Sequence, residues 1–119
     1  SDVVDRTFVT YTNEAKTDMV GVPTDLFDEF GAVSEEVARA MAEGALEHSN
    51  AEVSGSATGI AGPGGGSDDK PVGLVHMAAA RKGYETEHLR YVFKGDRDSV
   101  RLQAVGTVID LMRRQAELP

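Results

Sequence analysis

The 119 residues suit one domain with one core, and 40% hydrophobic with 27% charged residues is ordinary soluble globular usage. A net charge of −8 disfavours nonspecific attraction to phosphate backbones, so no direct nucleic-acid partner is expected. The chain has no cysteine, which excludes disulfides, thiolate metal sites and cysteine nucleophiles within these residues, and no apolar run approaches the roughly 20 residues that span a bilayer. A cytoplasmic protein without a membrane partner is therefore expected.

The chain opens on Ser1-Asp2-Val3-Val4 without a methionine and reaches strand-like residues at once, so it reads as an excerpt whose beginning is missing. Thr7-Phe8-Val9-Thr10-Tyr11 is β-branched and aromatic, which suits a half-buried strand ending at Tyr11. A short helix is expected from Glu14 to Val20, between a capping Asn13 and a terminating Gly21, with Lys16 about one turn in. A second helix is entered through Pro23 or Thr24 and stopped at Gly31, with Leu26, Phe27 and Phe30 toward the core.

Ser34 caps a longer helix from Glu35 to about His48, in which Val37, Met41, Ala45 and His48 recur at helical spacing. Its Ala38, Ala40 and Ala42 leave thin flanks for close packing. Glu52 to Thr58 reads as a strand that runs into Gly59-Ile60-Ala61-Gly62-Pro63-Gly64-Gly65-Gly66, where regular structure cannot continue. Val72 to Ala79 and Tyr84 to Phe93 then flank Arg81-Lys82-Gly83, a hairpin turn. Asp96 caps a final helix through Glu117, with Leu102, Val105, Ile109 and Met112 as its apolar stripe. Strands interleaved with helices give an α/β fold, a single layered domain with a mixed sheet flanked by helices.

Glycines let backbone N–H groups approach an anion without an intervening Cβ, so the loop after Thr58 either holds a phosphate or oxyanion or is a mobile connector. It is neither a P-loop nor a dinucleotide fingerprint. Tyr11 and Lys16 straddle a junction from which both could reach one cleft, the lysine as base and the tyrosine as proton relay; the alternative is a solvated lysine and a packed tyrosine. Arg97 and Arg101 share one face at the start of the last helix, where they make either an anion site or ion pairs with neighbouring acids. His48, His76 and His88 show no metal-ligand spacing, and neither a metal nor another cofactor is expected.

Five motifs in order carry a resemblance: Tyr11-Thr12-Asn13-Glu14-Ala15-Lys16, Gly31 to Val37, Thr58 to Gly65, Lys70-Pro71-Val72-Gly73, and Gly95-Asp96-Arg97 with Arg101. Together they resemble the CinA C-terminal domain family over nearly the whole chain, residues 1–119 forming one such domain incomplete at its N-terminus. The resemblance implies hydrolysis of the amide of nicotinamide mononucleotide to nicotinic acid mononucleotide and ammonia, with the pyridine mononucleotide as small-molecule partner. It implies Lys16 as the lysine that activates a serine, with Tyr11 beside it. Thr58, Gly59, Ala61 and Gly62 would form the substrate-binding loop, and Arg97, with Arg101, would meet the phosphate.

In the family that serine lies in a Glu-Ser-Cys-Thr-Gly-Gly-like stretch upstream of the first motif, so this chain alone is expected to be inactive. Thr12 stands where the family often has serine, and Leu74 and His76 where it often has threonine and tryptophan. A second reading is a binding module that keeps the phosphate pocket without chemistry, linked to competence or DNA damage. A third is an oligomerisation domain that associates through the small-residue helix from Glu35 to His48. A homo-oligomer is expected.

Overall fold

A computed structural model describes residues 3–119 as α1 (Asn13–Val20), α2 (Thr24–Phe30), α3 (Glu35–Glu47), β1 (Val53–Gly59), β2 (Leu74–Arg81), β3 (Glu87–Val92) and α4 (Arg97–Glu117). The strands form one sheet in the order β1-β2-β3, with antiparallel pairing throughout, so no parallel pair occurs among the described residues. β2 decides the layering, because successive side chains of a strand point to opposite faces. Its Ala78 and Ala80 pack with Ala38, Ala42 and Leu46 of α3, whereas its Val75 and Met77 pack with Val100 and Ala104 of α4. The sheet lies between α3 and α4, the layered α/β arrangement expected from the sequence.

α3 is used on two sides. Ala38 and Ala42 lie against β2, while Val37, with Met41 and Ala45, packs with Val20, Val22, Leu26 and Phe27 around α1 and α2. The thin alanine flank suggested for self-association is thus covered within the chain. Gly44 marks the closest approach, since a Cβ there would stand 1.7 Å from the Val20 carbonyl oxygen.

β1 is a strand despite its serines and glycine because each face has a partner. Ser54 and Ser56 donate to the Ala42 and Ala38 carbonyls of α3 at 2.5 and 2.6 Å, using lone pairs that the helix ladder leaves free. On the other face, a Cβ at Gly55 would come within 2.6 Å of Val108 and Met112 on α4.

Several expectations change. The cap of α1 is Thr12, whose extended backbone lets its hydroxyl accept from Ala15 N–H, and Asn13 lies inside the helix. The strand expected from Val72 to Ala79 runs from Leu74 to Arg81, because Gly73 has a φ of 95° and ends the preceding loop. Thr7 to Tyr11 forms no strand: no described strand lies beside it to share a ladder, and Val9 and Tyr11 are exposed while Phe8 leans on the α1–α3 cluster. The strand expected from Tyr84 begins at Glu87, because Tyr84 N–H closes the turn onto the Arg81 carbonyl and Arg39 takes the Thr86 carbonyl. Most of the stripe expected to bury α4 faces outward, with Leu102, Val105 and Ile109 exposed by 74, 56 and 59%, and only its Met112 turns to the sheet at Gly55. Val100, Ala104, Leu111 and Gln115 are buried instead, on the side of the helix that packs over β1 and β2.

Candidate functional site

Thr12 caps α1 by accepting from Ala15 N–H, and this fixes the first turn that carries Lys16. The Lys16 side chain is buried, and its Nζ donates to the Thr10 carbonyl at 2.7 Å. Burial lowers its pKa from the ordinary 10.5, because the charged form loses water. Tyr11 lies beside this bond in sequence, yet its side chain is 84% exposed. The pair therefore splits into a desolvated lysine and a solvent-facing phenol.

The glycine-rich loop is tied down at several points. Ile60 exchanges backbone bonds with Leu74 and Gly73, and Ser67 and Lys70 bond one another through Ser67 N–H to the Lys70 carbonyl and Lys70 N–H to Ser67 Oγ. Lys70 Nζ donates to the Phe30 carbonyl at 2.6 Å beside Gly31, whose φ of 78° suits glycine and whose Cα lies close under Nζ. Thr58 donates to the Ala32 carbonyl at 2.7 Å, so both ends of the loop are fastened to the bend between α2 and α3.

Arg97 reaches the loop from the other side, its Nη1 donating to the Gly62 carbonyl at 3.0 Å. Asp96 caps α4 by accepting from Ser99 N–H at 2.9 Å, which presents Arg97 at the positive end of the helix. Arg101 follows one turn later and is exposed. Ala61 packs on the α4 side of the sheet, and Gly62 has φ 86 with its Cα against Val72, positions that suit a small residue and a glycine.

The structure thus joins Thr58, the loop and Arg97 into one assembly, and Lys16 with the Thr10–Tyr11 segment into another. No hydrogen bond links the two among the described residues. Two surface hollows, of about 520 and 300 Å³, lie elsewhere: one near Arg39, Glu43, Arg81 and Tyr84, the other between β3 and α4. Among the described residues no three His, Asp or Glu side chains are grouped to hold a metal, and no helix is long and apolar enough to cross a membrane.

Lys70 as a loop latch and His76 with His88 as a pair are not evident from the sequence alone. The turn at Arg81 to Tyr84 held the second signal, since it sets the register that places Ala78 opposite His88.

The model of the CinA C-terminal domain matches residues 1–116. The chain belongs to this family. It is 44% identical over 115 residues to a competence-damage inducible protein of Caldicellulosiruptor bescii and 51% identical over 108 residues to a CinA-like protein of Geobacter sulfurreducens. These matches cover 97% and 90% of this chain but 28% and 26% of the relatives' length. A solved competence/damage inducible protein from Agrobacterium tumefaciens superposes with a TM-score of 0.93 at 46% identity, covering 95% of this chain and 69% of that one.

Proposed function

We propose that the full-length protein hydrolyses the carboxamide of nicotinamide mononucleotide to the carboxylate and ammonia, without metal or other cofactor. The observation that carries this reading is Lys16: a lysine held out of water with a lowered pKa can take a proton from a serine hydroxyl, as amide cleavage by a hydroxyl nucleophile requires. The serine is assigned to the segment upstream of this chain. Tyr11 stands beside the base as a proton donor at the solvent side. Thr58, Gly59, Ala61 and Gly62 shape the substrate loop, and Arg97, with Arg101 one turn on, meets the phosphate at the N-terminus of α4.

The second reading, a binding module, applies to the 119 residues taken alone, and three of their serines are engaged elsewhere. The hydroxyls of Ser34, Ser54 and Ser56 donate to the carbonyls of Gly31, Ala42 and Ala38, so none of these three is free to act as a nucleophile.

The test is ammonia release from nicotinamide mononucleotide by the full-length protein without added metal, beside its Lys16→Ala and Arg97→Ala variants. The enzyme reading expects turnover to collapse with Lys16→Ala and KM to rise with Arg97→Ala. Binding of the mononucleotide without ammonia release moves the assignment to the binding module.

A further inference from the structure

His76 and His88 come from neighbouring strands and lie outside the motifs that carry the family resemblance. The register sets His76 between Thr58 and Arg90 and pairs Ala78 with His88, so the two imidazoles are diagonal neighbours on the α3 face. Nδ1 of His76 and Nε2 of His88 are 2.9 Å apart, whereas the ring centroids are 5.1 Å apart and the planes differ by 23°. The facing nitrogens therefore lie between the centroids and the rings meet edge to edge, as an in-plane N–H···N bond requires. One proton sits between them, so one ring donates and the other accepts.

The far side of His88 decides which ring donates. Its Nδ1 faces Glu35 Oε1 at 3.7 Å. That carboxylate is held by Arg39 Nε at 2.8 Å, and Arg39 Nη1 donates to the Thr86 carbonyl at 2.6 Å. At this distance the carboxylate acts through its charge rather than a hydrogen bond, and that charge favours hydrogen over a lone pair on His88 Nδ1, which leaves Nε2 of a neutral His88 as the acceptor and makes His76 Nδ1 the donor. His76 Nε2 then carries a lone pair.

The surroundings of the two rings differ in sign. Glu35 and Glu36 of α3 favour a cation on His88, with Arg39 opposing, while Arg90 of β3 and Lys70 of the loop disfavour one on His76 against the weaker pull of Glu35. Burial, the largest influence on each, holds both imidazoles below their ordinary value.

We propose that His88 and His76, with Glu35 as the counter-charge beside His88, form a proton wire that switches His76 Nε2 between hydrogen-bond acceptor and donor. A proton that binds His76 Nε2 sends the Nδ1 proton across to His88 Nε2. The positive charge comes to rest on His88 beside Glu35, and His76 is again neutral with its hydrogen on Nε2. Loss of the Nε2 proton reverses both transfers. Because His76 is the ladder partner of Thr58, one residue before β1 ends at the glycine-rich loop, the switch gives the loop end of the sheet a group that accepts or donates with pH. The wire rests on the hydrogen-bond geometry and stands independently of the amidohydrolase reading.

The test is imidazole ¹⁵N NMR of the full-length protein labelled at histidine, with His76→Gln and His88→Gln for assignment. Above the ordinary imidazole pKa of about 6.5, both rings are expected to carry hydrogen on Nδ1 alone. On acidification the pair is expected to take up one proton, with His88 becoming doubly protonated while His76 stays neutral and moves its hydrogen to Nε2. Glu35→Gln is expected to lower the pair's proton affinity about tenfold, since it removes the carboxylate that stabilises the cation. Independent titration of the two rings, hydrogen on His76 Nε2 at high pH, or an unshifted step in Glu35→Gln overturns the proposal.

Discussion

Lys16 Nζ lies 2.7 Å from the carbonyl oxygen of Thr10, so the lysine holds the segment before Tyr11 against the helix that follows it. The same burial that makes this contact lowers the lysine's pKa from 10.5. A base works only when neutral, so kcat of the full-length protein is expected to rise with pH along a limb that lies below about 10.5. Lys16→Ala is expected to remove that limb and to lower kcat by about 10²–10⁴. A pH profile of ammonia release from both proteins checks this, and an unchanged limb in the variant assigns the ionisation to another group.

Two glycines in helices separate a close contact from open space. A Cβ at Gly44 would sit 1.7 Å from the Val20 carbonyl oxygen, a backbone atom that cannot turn aside, whereas a Cβ at Gly106 meets nothing within 4 Å. Gly44→Ala is expected to destabilise by about 3 kcal/mol or more, because α1 must move off α3. Gly106→Ala is expected to stabilise by roughly 0.5–1 kcal/mol through helix propensity. Urea unfolding midpoints of the two variants should move in opposite directions.

Helix ends were legible because their signals are local. Ser34 and Asp96 each accept a backbone N–H in the first turn as expected, and Gly21 adopts the left-handed conformation after α1, whereas the cap of α1 is Thr12 rather than the adjacent Asn13, since either residue type can cap. What the sequence hid depends on neighbours remote along the chain. Thr7 to Tyr11 has strand composition, but no described strand pairs with it, and β propensity without a ladder fixes nothing. The motif residues were found in order, yet their joining was not: Arg97 to Gly62 and Lys70 to Phe30 are contacts across 35 and 40 positions.

The face of α4 is the clearest reversal and gives its own test. Leu111 is 1% exposed and Leu102 is 74% exposed, although both are large and lie on one helix. Leu111→Ala is expected to cost about 2–5 kcal/mol, as removal of a buried leucine leaves a cavity. Leu102→Ala is expected to stay within about 0.5 kcal/mol in the 119-residue chain. If Leu102→Ala costs much more in the full-length protein than in this chain, the outward stripe is covered there by residues that this chain does not contain.

The buried histidines make stability depend on acid in a direction that can be worked out. Both imidazoles have folded values below the ordinary 6.5, chiefly through burial, so below that pH the unfolded chain binds more protons than the folded one. Their contribution is complete above about pH 6.5 and is lost as pH falls toward and through the folded values. The urea midpoint is therefore expected to hold steady just above that pH and to decline below it. The double variant His76→Gln, His88→Gln should flatten this part of the decline, whatever it does to stability at neutral pH. Asp5 and Glu35 are carboxylates held below their ordinary range, by the Asn50 N–H and Arg39 respectively, so their contributions disappear at lower pH and leave the histidine window separable. An equal decline in parent and double variant between about pH 6.5 and 5 would mean that the imidazole pair is not the acid-sensitive element.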